Sequence, residues 1–230
     1  MDRPRVALLN ASYDAANTRR NFRRELHASV EEFDVTDGHV PADPDHDAVV
    51  VTGSRASVYW DEDWIDATRA AVRRALDRDL PVLGVCWGHQ LLADAVGGTV
   101  EAMDDREMGY REVYLTRAGG SDPVFTGVKS PFLAFTTHGD AVVDLPEGAT
   151  RLAENDYGLQ AFRHGSAVGV QFHPEYDRRT AREVTRGKDL QEERIESVLA
   201  GITERNYERA SRTKALFADF VEAVGTRAAD

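Results

Sequence analysis

Residues 80–98 read LPVLGVCWGHQLLADAVGG, a short apolar run that passes through one tight turn into an amphipathic stretch. The apolar residues Leu80 to Cys86 predict a buried β-strand. Trp87 to Val96 predicts an α-helix that ends at Gly97-Gly98. A strand followed directly by a helix is the repeating unit of α/β folds, so this segment sets the expected fold class.

The same alternation of strands and helices is found on the N-terminal side of that unit. Buried strands are predicted over Arg5 to Asn10 and Asp47 to Thr52, and amphipathic helices over Asn17 to Val30 and Asp61 to Asp79. Strands and helices in this order are typical of a parallel sheet. We therefore expect an α/β protein with a mostly parallel sheet and helices on both faces.

The pattern changes after Gly98. Extended segments joined by turns are predicted there, including Val100 to Met103, Tyr110 to Thr116, Leu133 to Thr136 and Ala141 to Leu145. Helical periodicity returns over residues 178–186, 190–202 and 206–224. We divide the chain into a main domain over residues 1–176 and a helical C-terminal extension over residues 177–230, which packs on that domain or continues it.

Composition excludes several classes of function. The chain has 230 residues, a formal net charge of −12 and only three lysines, at positions 129, 188 and 214. An acidic chain is repelled by nucleic acids and anionic membranes, so neither is an expected partner. The apolar part of the N-terminus is too short for a signal peptide, which favours a cytoplasmic protein. An acidic, lysine-poor composition is typical of halophilic proteins, but a GC-rich genome explains it equally well.

The only cysteine, Cys86, lies in the turn between the predicted strand and helix, in the pattern Gly84-x-Cys86-x-Gly88. This is the thiol counterpart of the Gly-x-Ser-x-Gly turn that presents a nucleophile, and the flanking glycines remove Cβ atoms that would clash there. The partial positive charge at the helix N-terminus favours a thiolate. An isolated cysteine at a strand end is more often a small core residue, but this context favours a nucleophile.

A thiolate nucleophile needs a base, and His173 is the best candidate among the seven histidines. It ends the apolar run 167–172 and is followed by Pro174 and Glu175. Residues two apart in an extended segment project to the same side, so Glu175 can orient the imidazole while His173 takes the proton of Cys86. The alternative interpretation is a strand-end histidine beside an unrelated surface glutamate.

Three motifs together resemble the class I (triad) glutamine amidotransferases, which have a flavodoxin-like fold. They are GVCWGHQ at 84–90, THGD at 137–140 and VQFHPE at 170–175. Within that family the sequence resembles the glutaminase domain of GMP synthase. The resemblance implies that Cys86 attacks the side-chain amide of glutamine, that His173 acts as base and acid, and that Glu175 orients His173. We expect neither a cofactor nor a metal.

The resemblance also assigns binding positions. The backbone N–H groups of Gly53 and Trp87 would stabilise the oxyanion, and Gln90 with the loop Thr137-His138-Gly139 would hold the glutamine. Alternatively, Gln90 is a buried residue paired to backbone and His138 a turn histidine. One departure concerns the pocket: where relatives often have Gly-Gly-Pro, this chain has Gly53-Ser54-Arg55, and Arg55 changes the charge there.

No synthetase domain is recognised after Tyr176, so the ammonia acceptor is expected on a separate synthetase. The leading hypothesis is therefore a glutaminase that supplies ammonia to a partner. A γ-glutamyl peptidase or hydrolase acting on another γ-glutamyl compound uses the same acyl-enzyme chemistry and stays open. A catalytically silent binding or regulatory module of the same fold is the third possibility.

Overall fold

A twisted sheet at the centre of the molecule carries all the strands of the computed structural model, which describes residues 3–13, 15–42 and 45–227. The strands are β1 (Arg5–Asn10), β2 (Ser29–Asp34), β3 (Ala48–Val51), β4 (Val82–Val85), β5 (Thr99–Leu115), β6 (Phe132–Asp144), β7 (Thr150–Asn155), β8 (Gly158–His164) and β9 (Ala167–Val170). The helices are α1 (Ala15–Glu25), α2 (Asp63–Asp77), α3 (Trp87–Ala95), α4 (Arg178–Arg186), α5 (Glu192–Gly201), α6 (Glu204–Ala210) and α7 (Ala215–Arg227).

The strand order is β2-β1-β3-β4-β9-β8-β7-β5-β6. The first five strands of this order are parallel to one another, and the remaining pairings are antiparallel. Strand β4 pairs with β9 so that Val85 lies opposite Val170. Both strands therefore end at the same edge of the sheet, which brings the residues after Val85 next to those after Val170. This edge is where ligands bind in parallel α/β sheets.

Alternate residues of the buried strands supply two apolar layers, one on each face of the sheet. Val6 and Leu8 of β1 belong to the layer that contains Phe22 of α1 and Phe217 of α7, whose rings meet edge to face at 5.9 Å. Ala7 and Leu9 belong to the opposite layer, which contains apolar residues of α2 and α3. The predicted α/β class, with helices on both faces of a parallel core, is confirmed. The boundary between residues 176 and 177 stays a prediction.

Three local predictions were wrong. The helix predicted to reach Val30 ends at Glu25, and residues 29–34 instead form the edge strand β2, which pairs only with β1. The separate segments predicted between residues 100 and 145 are joined into two long strands, β5 and β6. A register shift between Ala102 and Glu107 absorbs the extra residues and lets the ribbon continue. The last predicted helix is split into α6 and α7 by a 3₁₀ turn at Ser211–Lys214.

Within the described residues, every helix is too short or too polar to cross a lipid bilayer.

Candidate active site

Cys86 lies in a strained turn between β4 and α3. Its backbone has φ of +54° and ψ of −105°, a conformation that non-glycine residues rarely adopt. The flanking glycines are required by close approach. A Cβ atom on Gly84 would lie 2.3 Å from the carbonyl oxygen of Gly88, and one on Gly88 would lie 2.3 Å from that of Val51. Gly84 therefore packs closely on Gly88, and Gly88 packs closely on Val51 of β3. This packing holds Cys86 at the start of the helix.

His173 and Glu175 form a buried pair just after β9. Nδ1 of His173 lies 2.8 Å from Oε1 of Glu175, and both side chains are almost fully buried. The backbone N–H of His173 donates to the carbonyl of Phe135 at 2.8 Å, and Arg24 donates to the carbonyl oxygen of Glu175 at 2.6 Å. The ring of Tyr176 stacks on the imidazole, with ring centroids 4.1 Å apart. The imidazole is thus held on several sides.

This pair and Cys86 meet beside Gly53. A Cβ atom on Gly53 would lie 3.1 Å from Cε1 of His173 and 3.6 Å from Cβ of Cys86. The backbone N–H of Cys86 donates to the carbonyl of Val170 at 2.8 Å, which couples the turn to β9. One cavity is lined by Cys86, His173, Glu175 and Gly53, and we call it the His173-side cavity.

The protonation of His173 is set by two opposing effects. Burial lowers the pKa of His173, but the nearby Glu175 and Cys86 raise it, and the result is a pKa of about 10. Nε2 of His173 is buried and makes no hydrogen bond of regular geometry in the described part of the chain, although Cys86 is close enough to affect this ring. At neutral pH the site therefore favours an imidazolium next to the cysteine.

The two predicted oxyanion donors both lie next to Cys86. Gly53 follows β3 and lines the His173-side cavity. Trp87 is the first residue of α3, so its backbone N–H has no acceptor within the helix. The next N–H, that of Gly88, donates to the carbonyl of Thr52 at 3.1 Å, which joins the start of α3 to the end of β3.

A second cavity also reaches Cys86 and shares Ser54, Arg55, Thr137 and Lys188 with the first. It is lined by the four predicted substrate residues, Gln90, Thr137, His138 and Gly139, and we call it the Gln90-side cavity. The hydroxyl of Thr137 is buried and has no hydrogen-bond partner among the described residues, so it is free to contact a ligand. The fold therefore brings every predicted substrate residue to one cavity beside the cysteine.

Two of those side chains are already bonded within the protein. Nε2 of Gln90 donates to the carbonyl of Asp140 at 2.9 Å and to Oε1 of Gln171 at 3.1 Å. Nδ1 of His138 lies 2.9 Å from the same carbonyl oxygen, and its Nε2 lies 2.6 Å from Oε2 of Glu107. The side chains of Gln90 and His138 thus hold the loop at 137–140 in place.

Sequence reasoning missed Glu107, which anchors this loop. Its fully buried carboxylate contacts His138 and accepts hydrogen bonds from Asn155 at 2.6 Å and Gln160 at 2.9 Å. Glu107 belongs to the charged run 104–107, which looks like solvent-exposed sequence. Glu107 lies at the register shift in β5 and is buried, whereas the residues before it in the run are more exposed, and no local pattern reveals this.

No group of three or more possible metal-ligating side chains is found in residues 3–13, 15–42 and 45–227.

Comparison with known proteins agrees with the predicted resemblance. The model of the class I glutamine amidotransferase family matches residues 10–187. A glutamine-hydrolyzing GMP synthase subunit from Halobacterium salinarum is 36% identical over 146 residues, covering 62% of this chain and 74% of the relative. Gamma-glutamyl peptidase 5 from Arabidopsis thaliana is 34% identical over 154 residues, covering 64% of this chain and 61% of the relative.

Other relatives are longer than this chain. Glutamine-hydrolyzing GMP synthase from Vibrio vulnificus strain YJ016 is 35% identical over 132 residues, which cover 56% of this chain and only 24% of the relative. Among solved structures, a glutamine amidotransferase from Thermotoga maritima has the same fold, with a TM-score of 0.78, 24% identity and coverage of 96% of this chain and all of that one. The match over residues 10–187 and the likeness to the halobacterial relative lead to one conclusion: the chain belongs to the class I glutamine amidotransferase family.

Proposed function

We propose that this chain hydrolyses the side-chain amide of glutamine through a thioester on Cys86. One observation carries the proposal: a cysteine in a strained turn at a helix N-terminus lies beside a buried histidine–glutamate pair. A nucleophile next to a base that is oriented by a third group is the arrangement used for acyl transfer. The halobacterial and Vibrio relatives are both named as glutamine-hydrolyzing, which supports glutamine as the substrate.

In the first step the Cys86 sulfur attacks the γ-carbonyl carbon of glutamine. The carbonyl oxygen becomes negatively charged and is stabilised by the N–H groups of Gly53 and Trp87, each worth about 3–4 kcal/mol of the barrier. His173 gives its proton to the leaving nitrogen, and ammonia departs. Water then attacks the thioester, His173 takes the water proton, and glutamate is released. Glu175 keeps the imidazole in the orientation that both transfers require.

The ammonia would pass to a synthetase on a separate chain. The halobacterial relative is named as one subunit of GMP synthase, which supports a partner of this kind. In this proposal Gln90, Thr137, His138 and Gly139 form the binding site for the glutamyl part of the substrate. A cytoplasmic location stays a prediction.

Covalent trapping tests the proposal directly. A glutamine-like electrophile such as 6-diazo-5-oxonorleucine should add one adduct per chain at Cys86, measured by intact mass and peptide mapping. Excess glutamine should slow the labelling, and Cys86→Ala should abolish it. Absence of any adduct at Cys86, with the synthetase partner either present or omitted, would favour the silent binding module.

A γ-glutamyl peptidase is a second candidate, and the similarity to gamma-glutamyl peptidase 5 favours it. Both reactions pass through the same γ-glutamyl thioester and differ only in the leaving amine. Comparing kcat/KM for glutamine with that for a γ-glutamyl peptide therefore separates them.

The pH dependence of activity should report the state of His173. With its pKa at about 10, His173 keeps the proton for the leaving nitrogen at neutral pH, so kcat/KM should fall as the pH rises through about 10. In Glu175→Gln the negative charge that raises this pKa is lost, so the falling limb should move to lower pH. Profiles of both proteins on glutamine check this, since the substrate's own titration is common to both. If kcat/KM fell at the same pH in both proteins, the charge of Glu175 would not be what raises the pKa of His173.

A further inference from the structure

We propose that Arg55 and Lys188 form a carboxylate-binding subsite for the leaving group, so that the chain also hydrolyses γ-glutamyl peptides whose leaving amine is an amino acid. This inference rests on the proposed thioester chemistry at Cys86, and it assigns the residues that would select an amino-acid leaving group in the second candidate function.

The two cavities divide the substrate at its scissile bond. His173 protonates the leaving nitrogen, so the leaving group must occupy the His173-side cavity, and the glutamyl part must occupy the Gln90-side cavity. Ammonia needs little room, yet the His173-side cavity extends to Asn17 of α1 and to Thr180 and Val184 of α4. Its polar walls leave space for an amine larger than ammonia.

Arg55 and Lys188 lie at the junction and line both cavities, as Cys86 does. The guanidinium of Arg55 packs against the residue before Lys188, since its Nη2 would lie 3.5 Å from a Cβ atom on Gly187. Lys188 is half-buried. Neither side chain forms a salt bridge or hydrogen bond with a residue in the described ranges of the chain. Two unneutralised cations therefore lie side by side next to the nucleophile.

The charges on the two sides of the cysteine differ in a way that points to the leaving group. Around the Gln90-side cavity, the cations Arg55, Arg106 and Lys188 are accompanied by Asp189 and by Asp140, whose carboxylate accepts hydrogen bonds from Ser57 and Tyr59. Charges of both signs suit the carboxylate and ammonium of a glutamyl group. Around the His173-side cavity, the acidic residue among the described lining residues is Glu175, which is engaged by His173. Arg55 and Lys188 line both cavities, but among the described lining residues Asp140 and Asp189 accompany them only on the Gln90 side. On the side where the leaving group lies, the two cations therefore have no acidic neighbour except Glu175, and they can bind an anion there.

Holding these cations together has an energetic cost that an anion would relieve. Burial, together with the charges of Arg106 and Arg55, lowers the pKa of Lys188 to about 8. Lys188 is still mostly protonated at neutral pH, so a carboxylate bound there gains charge-assisted hydrogen bonds and reduces the repulsion of Lys188 by Arg106 and Arg55. Ammonia has no negative charge and gains nothing from this subsite.

The reaction balances without any further reactant. The Cys86 sulfur forms a bond to the γ-carbonyl carbon, the carbon–nitrogen bond breaks, and His173 supplies the proton that makes the leaving group a free amino acid. Water then cleaves the thioester, and His173 recovers the proton. The products are glutamate and the released amino acid.

Two substrates of nearly equal size test the subsite. We expect γ-glutamylglycine, which carries the leaving-group carboxylate, to have a kcat/KM at least about tenfold higher than γ-glutamylglycinamide, the scale of one charge-assisted hydrogen bond. Arg55→Gln and Lys188→Gln should each reduce this ratio, and the double variant should bring it close to one. Arg117→Gln and Lys129→Gln, which change exposed cations away from both cavities, are the matched controls and should keep the wild-type ratio.

The outcomes separate this inference from the proposed function. A ratio near one in the wild-type protein, or equal losses on both substrates in the double variant, would overturn the inference, because the cations would then serve the glutamyl carboxylate. If no substrate is hydrolysed, calorimetry can instead compare the binding of γ-glutamylglycine and γ-glutamylglycinamide to Cys86→Ala. Tighter binding of γ-glutamylglycine than of its amide supports the subsite without turnover, and equal or absent binding refutes it. If the proposed function is wrong, the glutamine-like electrophile forms no adduct at Cys86, and that result is separate from the substrate comparison.

Discussion

His173→Ala is expected to lower kcat/KM for glutamine by about five to six orders of magnitude, which is the scale for loss of the base in triad hydrolases. The imidazole is the group next to Cys86 that can carry a proton to the leaving nitrogen. Its Nδ1 lies 2.8 Å from Oε1 of Glu175, which leaves Nε2 as the ring nitrogen that exchanges protons with the substrate. Steady-state release of glutamate measures the loss.

Glu175→Ala should be less damaging, with a loss of about four orders of magnitude, because an imidazole without its orienting partner is still a base. The backbone N–H of His173 bonded to Phe135 and the stacked ring of Tyr176 would still hold His173 near its place. Equal losses in the two alanine variants would contradict the roles assigned to them. Circular dichroism and thermal unfolding of both variants control for misfolding.

Gly88→Ala is expected to damage both stability and activity. The added Cβ atom would lie 2.3 Å from the carbonyl oxygen of Val51, and backbone in a sheet interior has little room to move. Overpacking of this kind costs about 1–3 kcal/mol of unfolding free energy, and more where the clash is with backbone. Because Gly88 lies two residues after Cys86, the shift also displaces this proposed nucleophile, which costs about 100-fold in rate per ångström of misplacement.

Urea denaturation and a glutamine assay on the same preparation measure both effects of Gly88→Ala. Gly225→Ala is the matched control, because a Cβ atom there meets no atom within 4 Å and the residue lies in helix α7. That variant should be as stable as the wild type, or more stable by up to about 1 kcal/mol. Wild-type stability and activity in Gly88→Ala would show that the turn is not constrained as its contacts indicate.

The sequence was a good guide to the part of the site built by local chain geometry. Glycines around Cys86 indicated a tight turn, and the structure shows the contacts that exclude any larger residue at 84 and 88. The spacing of His173 and Glu175 indicated that they act as a pair, and they are bonded to each other. Edge strand β2 was missed because its polar residues 29–34 pair on one side only and lack the apolar run of a buried strand.

By itself, then, the sequence determined the α/β class, the strained turn at Cys86 and the family to which the chain belongs, since these follow from patterns within a few residues. Which distant residues approach the cysteine was decided by the tertiary structure alone. Pairing of β4 with β9 brings His173 beside Cys86, the register shift in β5 buries Glu107 under the loop at 137–140, and the end of α4 carries Lys188 to Arg55. Such approaches depend on strand order and packing across the whole sheet, and no short stretch of sequence encodes them.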